Sequence, residues 1–195
     1  MKNYKNIVEK YPELFERADP KSPFAMFWFE CGIGWYDIIE NACFVLYQRY
    51  ANAKWYLNII SQQLEDVAGY AKRSSYGDKV VSEEEVQIQL EKQKAKCVAK
   101  LAEAKENLPT VAQVKEKFGS LRFYLYTSDD VSNAVTTYAE AMSTSTCEDC
   151  GCPGKTYRMG WYRTLCPTHA TEQYGAEQLA EYEKEIKEDE LHYVP

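Results

Sequence analysis

The feature that most constrains this chain is a group of four potential metal ligands near its C-terminus. Cys147, Cys150, Cys166 and His169 are spaced as C-x2-C-x15-C-x2-H. Each close pair brings two ligands to one side of an ion, and the 15 intervening residues are enough for a two-stranded hairpin. The spacing therefore predicts a tetrahedral zinc site. Because four protein ligands leave no open coordination position, we expect the zinc to be structural and not catalytic.

The residues around these ligands predict a treble-clef-like module. Cys147 to Cys150 forms a knuckle, and Gly151 follows where the turn requires a positive φ. Residues 155–165 have the pattern of two short strands that turn at Gly160. The last two ligands then begin a C-terminal helix.

Two alternatives to this ligand set follow from the same residues. Cys152 could replace His169 as a ligand, but its separation from Cys150 by one residue makes a poor chelate. Cys147 and Cys150 could instead form a redox pair. We take His169 as the fourth ligand.

Composition limits the compartment and the number of domains. The 195 residues, 45% hydrophobic and 27% charged, can bury one sizeable core with a small appended module. No apolar run approaches the roughly 20 residues of a membrane span, and the N-terminus lacks the apolar segment of a secretory signal. The seven cysteines favour zinc in a reducing compartment over disulfides, so we expect a cytoplasmic protein. Cys31, Cys43 and Cys97 are expected to be small buried residues.

Helical periodicity dominates the first half of the chain. A glycine turn at 32–34 leads into a helix over 35–50, and the period continues over 54–72. A second charged helix begins near Ser82, after a short loop. These two helices predict an antiparallel helical hairpin, an arm over about 54–108, whose apolar stripe comprises Val86, Leu90, Cys97, Leu101 and Ala104. The arm either packs on the body or projects as a docking surface.

The period changes to two after Pro109, which predicts a β-hairpin over about 111–126. With Gly119-Ser120 as a two-residue turn, Phe118 would face Leu121 and Lys117 would face Arg122. One face is then mainly apolar, and the other carries Gln113, Lys115, Lys117, Arg122, Tyr124 and Tyr126. The opposed cations indicate an anion or an acidic side chain over them, although a solvated sheet face has the same composition.

These segments together predict an α+β protein. Residues 1–143 would form a mainly helical body with the helical arm and the β-hairpin, and residues 144–195 a zinc module with an acidic C-terminal helix. Asp129 or Asp130 is predicted to cap a helix that precedes the module. Its apolar stripe is expected to face the core and comprises Val131, Val135, Tyr138 and Met142.

No catalytic constellation accompanies the zinc ligands, and we assign no catalytic residue. His169 and His192 are the only histidines, so the histidine base and second metal of an HNH nuclease have no candidates. The deaminase signature and the Walker loop are missing, and Gly32-Ile33-Gly34 lacks the third glycine of a dinucleotide fingerprint. A non-enzymatic protein is expected, and an enzyme of unknown type is the alternative.

Two binding functions fit these features. In the first, the arm, a surface rich in the 16 tyrosines and the acidic C-terminal helix bind another protein, and the arm also makes a homodimer conceivable. In the second, the chain binds nucleic acid through Lys115, Lys117, Arg122, Tyr124 and Tyr126, extended by Arg158 and Arg163. Residues 171–195 carry a net charge of −6 out of −7 for the chain, which disfavours the second function.

Three segments carry a resemblance to a known group: 32–39 (GIGWYDII), 114–124 (VKEKFGSLRFY) and the zinc motif of 147–169. The chain resembles small uncharacterised zinc-knuckle proteins encoded by bacteriophages and bacterial prophages, most strongly over about 111–170. The resemblance implies a phage or prophage origin, hence a host bacterial cytoplasm, and transfers no catalytic residue. In that setting the expected partner is a host or phage protein, and inhibition of a host defence protein is a plausible task.

Overall fold

The computed structural model describes residues 2–16, 21, 29–75 and 80–192, with side chains up to residue 186. The described chain is α+β, as predicted, with seven α-helices, a three-stranded sheet and a separate two-stranded sheet. The chain divides into two compact units, one of residues 1–45 and 109–195 and the other of residues 46–108. The second unit contains the predicted arm, whereas the predicted boundary after residue 143 remains a prediction.

The larger unit begins with two short helical segments. Helix α1 (Tyr4–Lys10) is capped by Asn3, and the 3-10 turn Pro12–Leu14 follows, because proline is accepted at the start of a helix but not inside one. Strand β1 (Phe29–Glu30) and a second 3-10 turn (Ile33–Trp35) then lead into helix α2 (Tyr36–Glu65).

Strands β2 (Val111–Lys117) and β3 (Ser120–Leu125) form the predicted antiparallel hairpin, and β1 joins β2 in parallel. The predicted turn is wrong by one residue. Phe118 and Gly119 form it, both with positive φ (55° and 75°), which is the conformation of a type I′ turn. Lys115 therefore faces Arg122, and Lys117 faces Ser120.

The apolar face of this hairpin is confirmed for most of its members. Val114 pairs with Phe123 and Glu116 with Leu121, and the three apolar side chains are buried. The pairing partner of each residue shifts by two positions, which preserves the face because side chains alternate with a period of two. Only Phe118 leaves the face: it is 66% exposed in the turn.

Helix α5 (Asp130–Ser143) packs against β3, but through a different face from the predicted one. Asp129 is its N-cap, as predicted, and forms a capping box with Ser132. The predicted core stripe is wrong: Val131 is 54% and Tyr138 67% exposed. The buried face consists of small residues, Ser132, Thr136, Ala139 and Ser143.

Hydrogen bonds to backbone groups of β3 explain this orientation. Leu121 N donates to Ser143 Oγ at 2.8 Å, and Phe123 N donates to Glu140 Oε1 at 3.1 Å. Since an unsatisfied buried backbone N–H is costly, the helix turns a polar face toward the strand, and its apolar stripe points elsewhere.

The zinc-ligand region has the predicted order of elements. Strands β4 (Lys155–Tyr157) and β5 (Arg163–Leu165) pair antiparallel, and helices α6 (Pro167–Tyr174) and α7 (Ala176–His192) follow. A small core joins them, made of Cys147, Tyr157, Leu165, Cys166 and Ala170, with Met159, Tyr174, Leu179 and Tyr182 at its edge.

The second unit contains the predicted pair of long helices. It comprises the later part of α2, helix α3 (Val67–Ser74) and helix α4 (Glu83–Glu106), which begins at a Ser82/Glu85 capping box. Ala71, Val86 and Leu90 are buried in its core. The predicted stripe is thus buried at its N-terminal end, while Cys97, Leu101 and Ala104 are half-buried.

Candidate metal centre

The four predicted zinc ligands lie together. Their ligand atoms all fall within 4.8 Å of one another. Cys147 Sγ is 3.4 Å and Cys166 Sγ 3.3 Å from His169 Nδ1, and the Sγ atoms of Cys150 and Cys166 are 3.8 Å apart.

These distances fit a tetrahedral zinc ion. Zn–S bonds of about 2.3 Å and Zn–N bonds of about 2.0–2.1 Å place two ligand sulfurs about 3.8 Å apart and a sulfur and a nitrogen about 3.6 Å apart. Three thiols and one imidazole are also the donors that zinc prefers. Cys147, Cys150, Cys166 and His169 can therefore hold a metal such as zinc, with His169 binding through Nδ1.

The environment of one ligand favours the form that binds metal. The backbone N–H of His169 donates to the Cys166 sulfur, which lowers the pKa of that thiol to about 7, and neighbouring ligands act in the same direction. Hydrogen bonding to Cys147 raises the pKa of His169. A bound cation would keep the imidazole neutral and the thiols ionised.

The other cysteines lie outside the cluster. Cys152 is exposed, and its carbonyl oxygen accepts from Cys147 N at 2.8 Å, so it shapes the knuckle through its backbone. Cys43 is buried as predicted, whereas Cys31 and Cys97 are half-buried.

The knuckle of residues 147–150 packs directly against the glycine turn that precedes α2. Gly34 N donates to Glu148 O at 2.7 Å, and Gly32 N donates to Glu148 Oε1 at 2.9 Å. A Cβ atom at Gly34 would lie 2.2 Å from Cys147 O, so only glycine fits. Trp35, which is fully buried, donates from Nε1 to Thr146 O at 2.7 Å. The two glycines thus serve close packing against the metal centre.

The knuckle is also tied to its own hairpin. Arg163 donates to Asp149 Oδ1 at 2.6 Å and lies 3.7 Å from Glu148 Oε2. Arg163 therefore makes its ion pairs within the module, in contrast to Lys115 and Lys117 of the predicted binding face.

Strands β4 and β5 form a second hairpin, called the zinc hairpin because it lies between the two pairs of candidate ligands, and its tip lies beside the turn of the β2–β3 hairpin. Together they form a cleft of about 610 Å³, the hairpin cleft, lined by Lys115, Glu116, Lys117, Phe118, Gly160, Trp161 and Tyr162. Trp161 is 74% exposed, and the ring of Phe118 contacts that of Tyr162 edge-on at 6.4 Å. Arg158 lies over the Tyr162 ring at 5.9 Å.

The structure separates the residues of the predicted binding face. Lys115 and Lys117 line the hairpin cleft. Arg122 instead donates to Ser120 Oγ at 2.7 Å and lies 3.8 Å from Glu140, so an acidic side chain lies near this cation alone. The predicted opposed pair Lys117/Arg122 is not formed, because Arg122 faces Lys115. Tyr124, 41% exposed and under Lys115, and Tyr126, 48% exposed, lie outside the cleft.

Sequence reasoning missed the aromatic half of this cleft. The sequence pattern places Phe118 on the apolar face, and it identifies residues 155–165 only as two short strands that turn at Gly160. The available signal was the position of two aromatic residues directly after Gly160, because side chains at the tip of a short hairpin do not reach a core. Gly160 has φ of 72° and open space around its Cα.

A second cavity lies between the first part of α2 and the exposed face of α5. This α2–α5 groove has a volume of about 840 Å³. Its apolar lining includes Ile38, Val45, Val131, Val135, Tyr138 and Met142, and its carboxylates belong to Asp37 and Asp130. The stripe that was predicted to enter the core therefore lines an open groove.

Comparison with known proteins gives no match to a protein-family model, to a curated protein or to a solved structure. None of the helices in the described part of the chain combines the length and the hydropathy that a bilayer span requires.

Proposed function

We propose that this chain is a non-catalytic, zinc-stabilised protein-binding module that docks a partner helix in the α2–α5 groove. The observation that carries the proposal is the exposure of a contiguous apolar surface there. Val45, Val131, Tyr138 and Met142 are 47%, 54%, 67% and 39% exposed and line one groove. Exposed apolar patches of this kind mark interaction sites in soluble proteins.

The form of the groove favours a helix as its occupant. Two helices form its walls, and small residues of these helices in the lining leave room for a partner, namely Ala42, Ala134 and Ala139. An amphipathic helix lays its apolar face into such a groove with anchors at helical spacing. Tyr138, which is 67% exposed in the lining, offers a large contact area, and tyrosine is enriched at interfaces.

The charged side chains of the groove indicate which residues should flank the apolar anchors of the partner helix. The lining contains the carboxylates of Asp37 and Asp130. Asp37 is already paired with Lys2 at 2.6 Å, so Asp130 is the one that forms no ion pair among the described residues. We therefore expect a helix whose apolar anchors are flanked by lysine or arginine, since complementary charge guides encounter and sets orientation.

The resemblance to phage and prophage proteins supports the choice of partner class. A phage-encoded binding module acts in the host cytoplasm on a host or phage protein, and a regulatory or defence protein of the host is the partner that we propose. Inhibition then results from occupation of a helix that the target needs for its own assembly.

Site-specific photocrosslinking tests this proposal. The full-length chain with a photoreactive phenylalanine analogue in place of Tyr138 is expressed in bacteria, irradiated and analysed by mass spectrometry. We expect a cross-link to an amphipathic, basic helical segment of one protein. The same analogue in place of Ile88, which is 61% exposed on α4, is the control.

Val131→Glu should abolish the Tyr138 cross-link, because it places a charge in the groove, whereas Ile88→Glu should preserve it. A cross-link that connects two copies of the chain would replace the proposed partner with a homodimer. Cross-links that survive Val131→Glu, or a pattern that is the same from position 88, would contradict the proposal.

A further inference from the structure

The hairpin cleft combines exposed aromatic rings with uncompensated cations. Three aromatic side chains and two lysines line it, and Arg158 borders the Tyr162 ring. Among the described residues, Lys115 and Lys117 contact aromatic rings and form no ion pair, in contrast to Arg122 and Arg163.

The acidic residue of the cleft is already engaged. Glu116 Oε1 accepts a hydrogen bond from Gly119 N at 2.6 Å, so its carboxylate fixes the turn from within the same hairpin. No ion pair joins this carboxylate to Lys115 or Lys117 among the described residues, so both ammonium groups can contact an anion from outside. Lysines at alternate positions of one strand lie on the same face, which places Lys115 and Lys117 about 7 Å apart along β2.

The aromatic rings have little structural reason to be exposed. Trp161 is 74% exposed and Phe118 is 66% exposed, so both side chains forgo most of the stabilisation that burial of a large apolar side chain provides. Cations nearby disfavour a cationic ligand, so a cage for a methylated amine does not fit. A ligand with a flat ring and a negative group fits both the aromatic and the cationic part of the cleft. A nucleotide is such a ligand, because its base can stack on an aromatic side chain while lysines contact its phosphate.

We infer that the hairpin cleft binds a nucleotide unit of single-stranded nucleic acid, with a base stacked on Trp161 and phosphates held by Lys115 and Lys117. A duplex is disfavoured because its bases are not free to stack on a protein ring. This site is separate from the α2–α5 groove and does not depend on the proposed helix partner.

The zinc module holds the rings in position for this role. Arg158 N donates to Tyr182 Oη at 3.1 Å, and Tyr174 Oη donates to Trp161 O at 3.4 Å, so helices α6 and α7 hold both sides of the hairpin tip. Cys166, a candidate zinc ligand, directly follows β5. Loss of the metal should therefore weaken nucleic-acid binding, although none of the four candidate metal ligands lines the hairpin cleft.

Fluorescence anisotropy tests the inference on the whole zinc-loaded chain. The probe is a labelled oligothymidylate of about 12 nucleotides, a length within the site sizes of known single-strand binders. We expect binding at low salt that weakens as salt rises. Trp161→Ala should weaken it by about 10-fold to 100-fold, the range for loss of one stacked base. Trp55→Ala, which removes a 57% exposed tryptophan outside the cleft, should leave binding unchanged.

Charge reversal provides the second test. Lys117→Glu should weaken binding. It should also reduce the slope of log affinity against log salt by about 0.7 per lost phosphate contact. The control, Lys94→Glu on α4, changes the net charge equally and should leave the slope unchanged. Circular dichroism confirms that each variant is folded. Three results would overturn the inference: no oligothymidylate binding at low salt, equal weakening by the control variants, or equally tight binding of a duplex, of thymidine monophosphate or of oligoglutamate.

Discussion

Thr164 Oγ1 donates a hydrogen bond to the carbonyl oxygen of Gly119 at 2.5 Å, which connects the zinc hairpin to the turn of the β2–β3 hairpin. Thr164 is fully buried, and its hydroxyl lies 2.7 Å from that of Thr156. A Cβ atom at Gly119 would lie 2.7 Å from Thr156 Cγ2, so the two hairpins are in close contact. This contact aligns the two halves of the hairpin cleft.

Replacement of Thr164 by valine should therefore destabilise the chain and disturb the cleft together. The variant keeps the volume of the side chain but leaves the Gly119 carbonyl and the Thr156 hydroxyl without this partner, a loss of about 1–3 kcal/mol in the free energy of unfolding. Urea denaturation measures it. Thr164→Ser retains the hydroxyl and should recover most of the hydrogen-bond contribution; equal stability of the valine variant and the wild type would show that the contact contributes nothing.

Zinc removal should unfold the C-terminal module. Apparent binding free energies of structural zinc are about 10–16 kcal/mol in small zinc domains, so Cys147→Ser or Cys166→Ser should lower stability by more than roughly 5 kcal/mol. Elemental analysis should find one zinc per chain, and thermal denaturation before and after chelation measures the effect. Cys152→Ser, outside the ligand cluster, is the control. A metal-free protein of unchanged thermal stability would exclude a structural zinc.

Gly34→Ala should be among the most damaging single-methyl additions in the chain. The added carbon would meet the Cys147 carbonyl oxygen at 2.2 Å, and backbone on both sides resists movement, so we expect a loss of about 3 kcal/mol or more. Gly160→Ala has open space and only the strain of a positive φ, about 1–2 kcal/mol. Chemical denaturation of the two variants side by side should rank them in this order; the reverse order would contradict close packing at Gly34.

Helix α5 offers a test in which a small residue matters more than a large one. Tyr138 is 67% exposed, so Tyr138→Ser should change stability by less than about 0.5 kcal/mol. Ser143 accepts from Leu121 N and donates to Glu140 O at 2.6 Å, so Ser143→Ala should cost about 1–3 kcal/mol. Urea denaturation distinguishes these values. A larger cost for Tyr138→Ser would restore the core orientation predicted from the sequence.

The contact between Lys10 and Glu40 should make stability depend on pH. The Lys10 ammonium donates a hydrogen bond to Glu40, and Tyr11 Oη donates a second one at 2.9 Å. The ammonium is the main reason why the pKa of the Glu40 carboxyl is lowered. The same contact raises the pKa of Lys10.

A lowered carboxyl pKa stabilises the fold above the unfolded value of about 4.3, and this contribution disappears as pH falls through the folded pKa. The raised pKa of Lys10 makes its contribution disappear only at strongly alkaline pH. Glu40→Gln should therefore lose up to about 1 kcal/mol at pH 7, because solvent around the exposed Lys10 side chain screens the pair, and nothing near pH 2. Denaturation curves at the two pH values test this; an equal loss at both would exclude a charge effect.

The metal centre was predictable from the sequence because ligand spacing is a local property. Two close pairs and an intervening hairpin fix the relative positions of Cys147 and Cys166 without reference to the rest of the fold. The position of the β-turn was not predictable, because Phe118 adopts a positive φ, a conformation that normally favours glycine. The preference of twisted hairpins for a type I′ turn determined the register.

The orientation of α5 could not be predicted from hydrophobic periodicity. The apolar stripe and the small polar stripe both have helical spacing, and the choice between them depends on backbone N–H groups of β3 that lie elsewhere in the sequence. The hairpin cleft required the same kind of knowledge, because it joins residues 115–118 to residues 160–162 through tertiary contact.

The side chains of Ser143 and Glu140 have one more consequence. By accepting from Leu121 and Phe123, they occupy the outward N–H groups of β3 that an incoming peptide strand would need for extension of the sheet. Along this edge the chain is protected from β-augmentation and from edge-to-edge aggregation, so recognition there must proceed through side-chain surfaces.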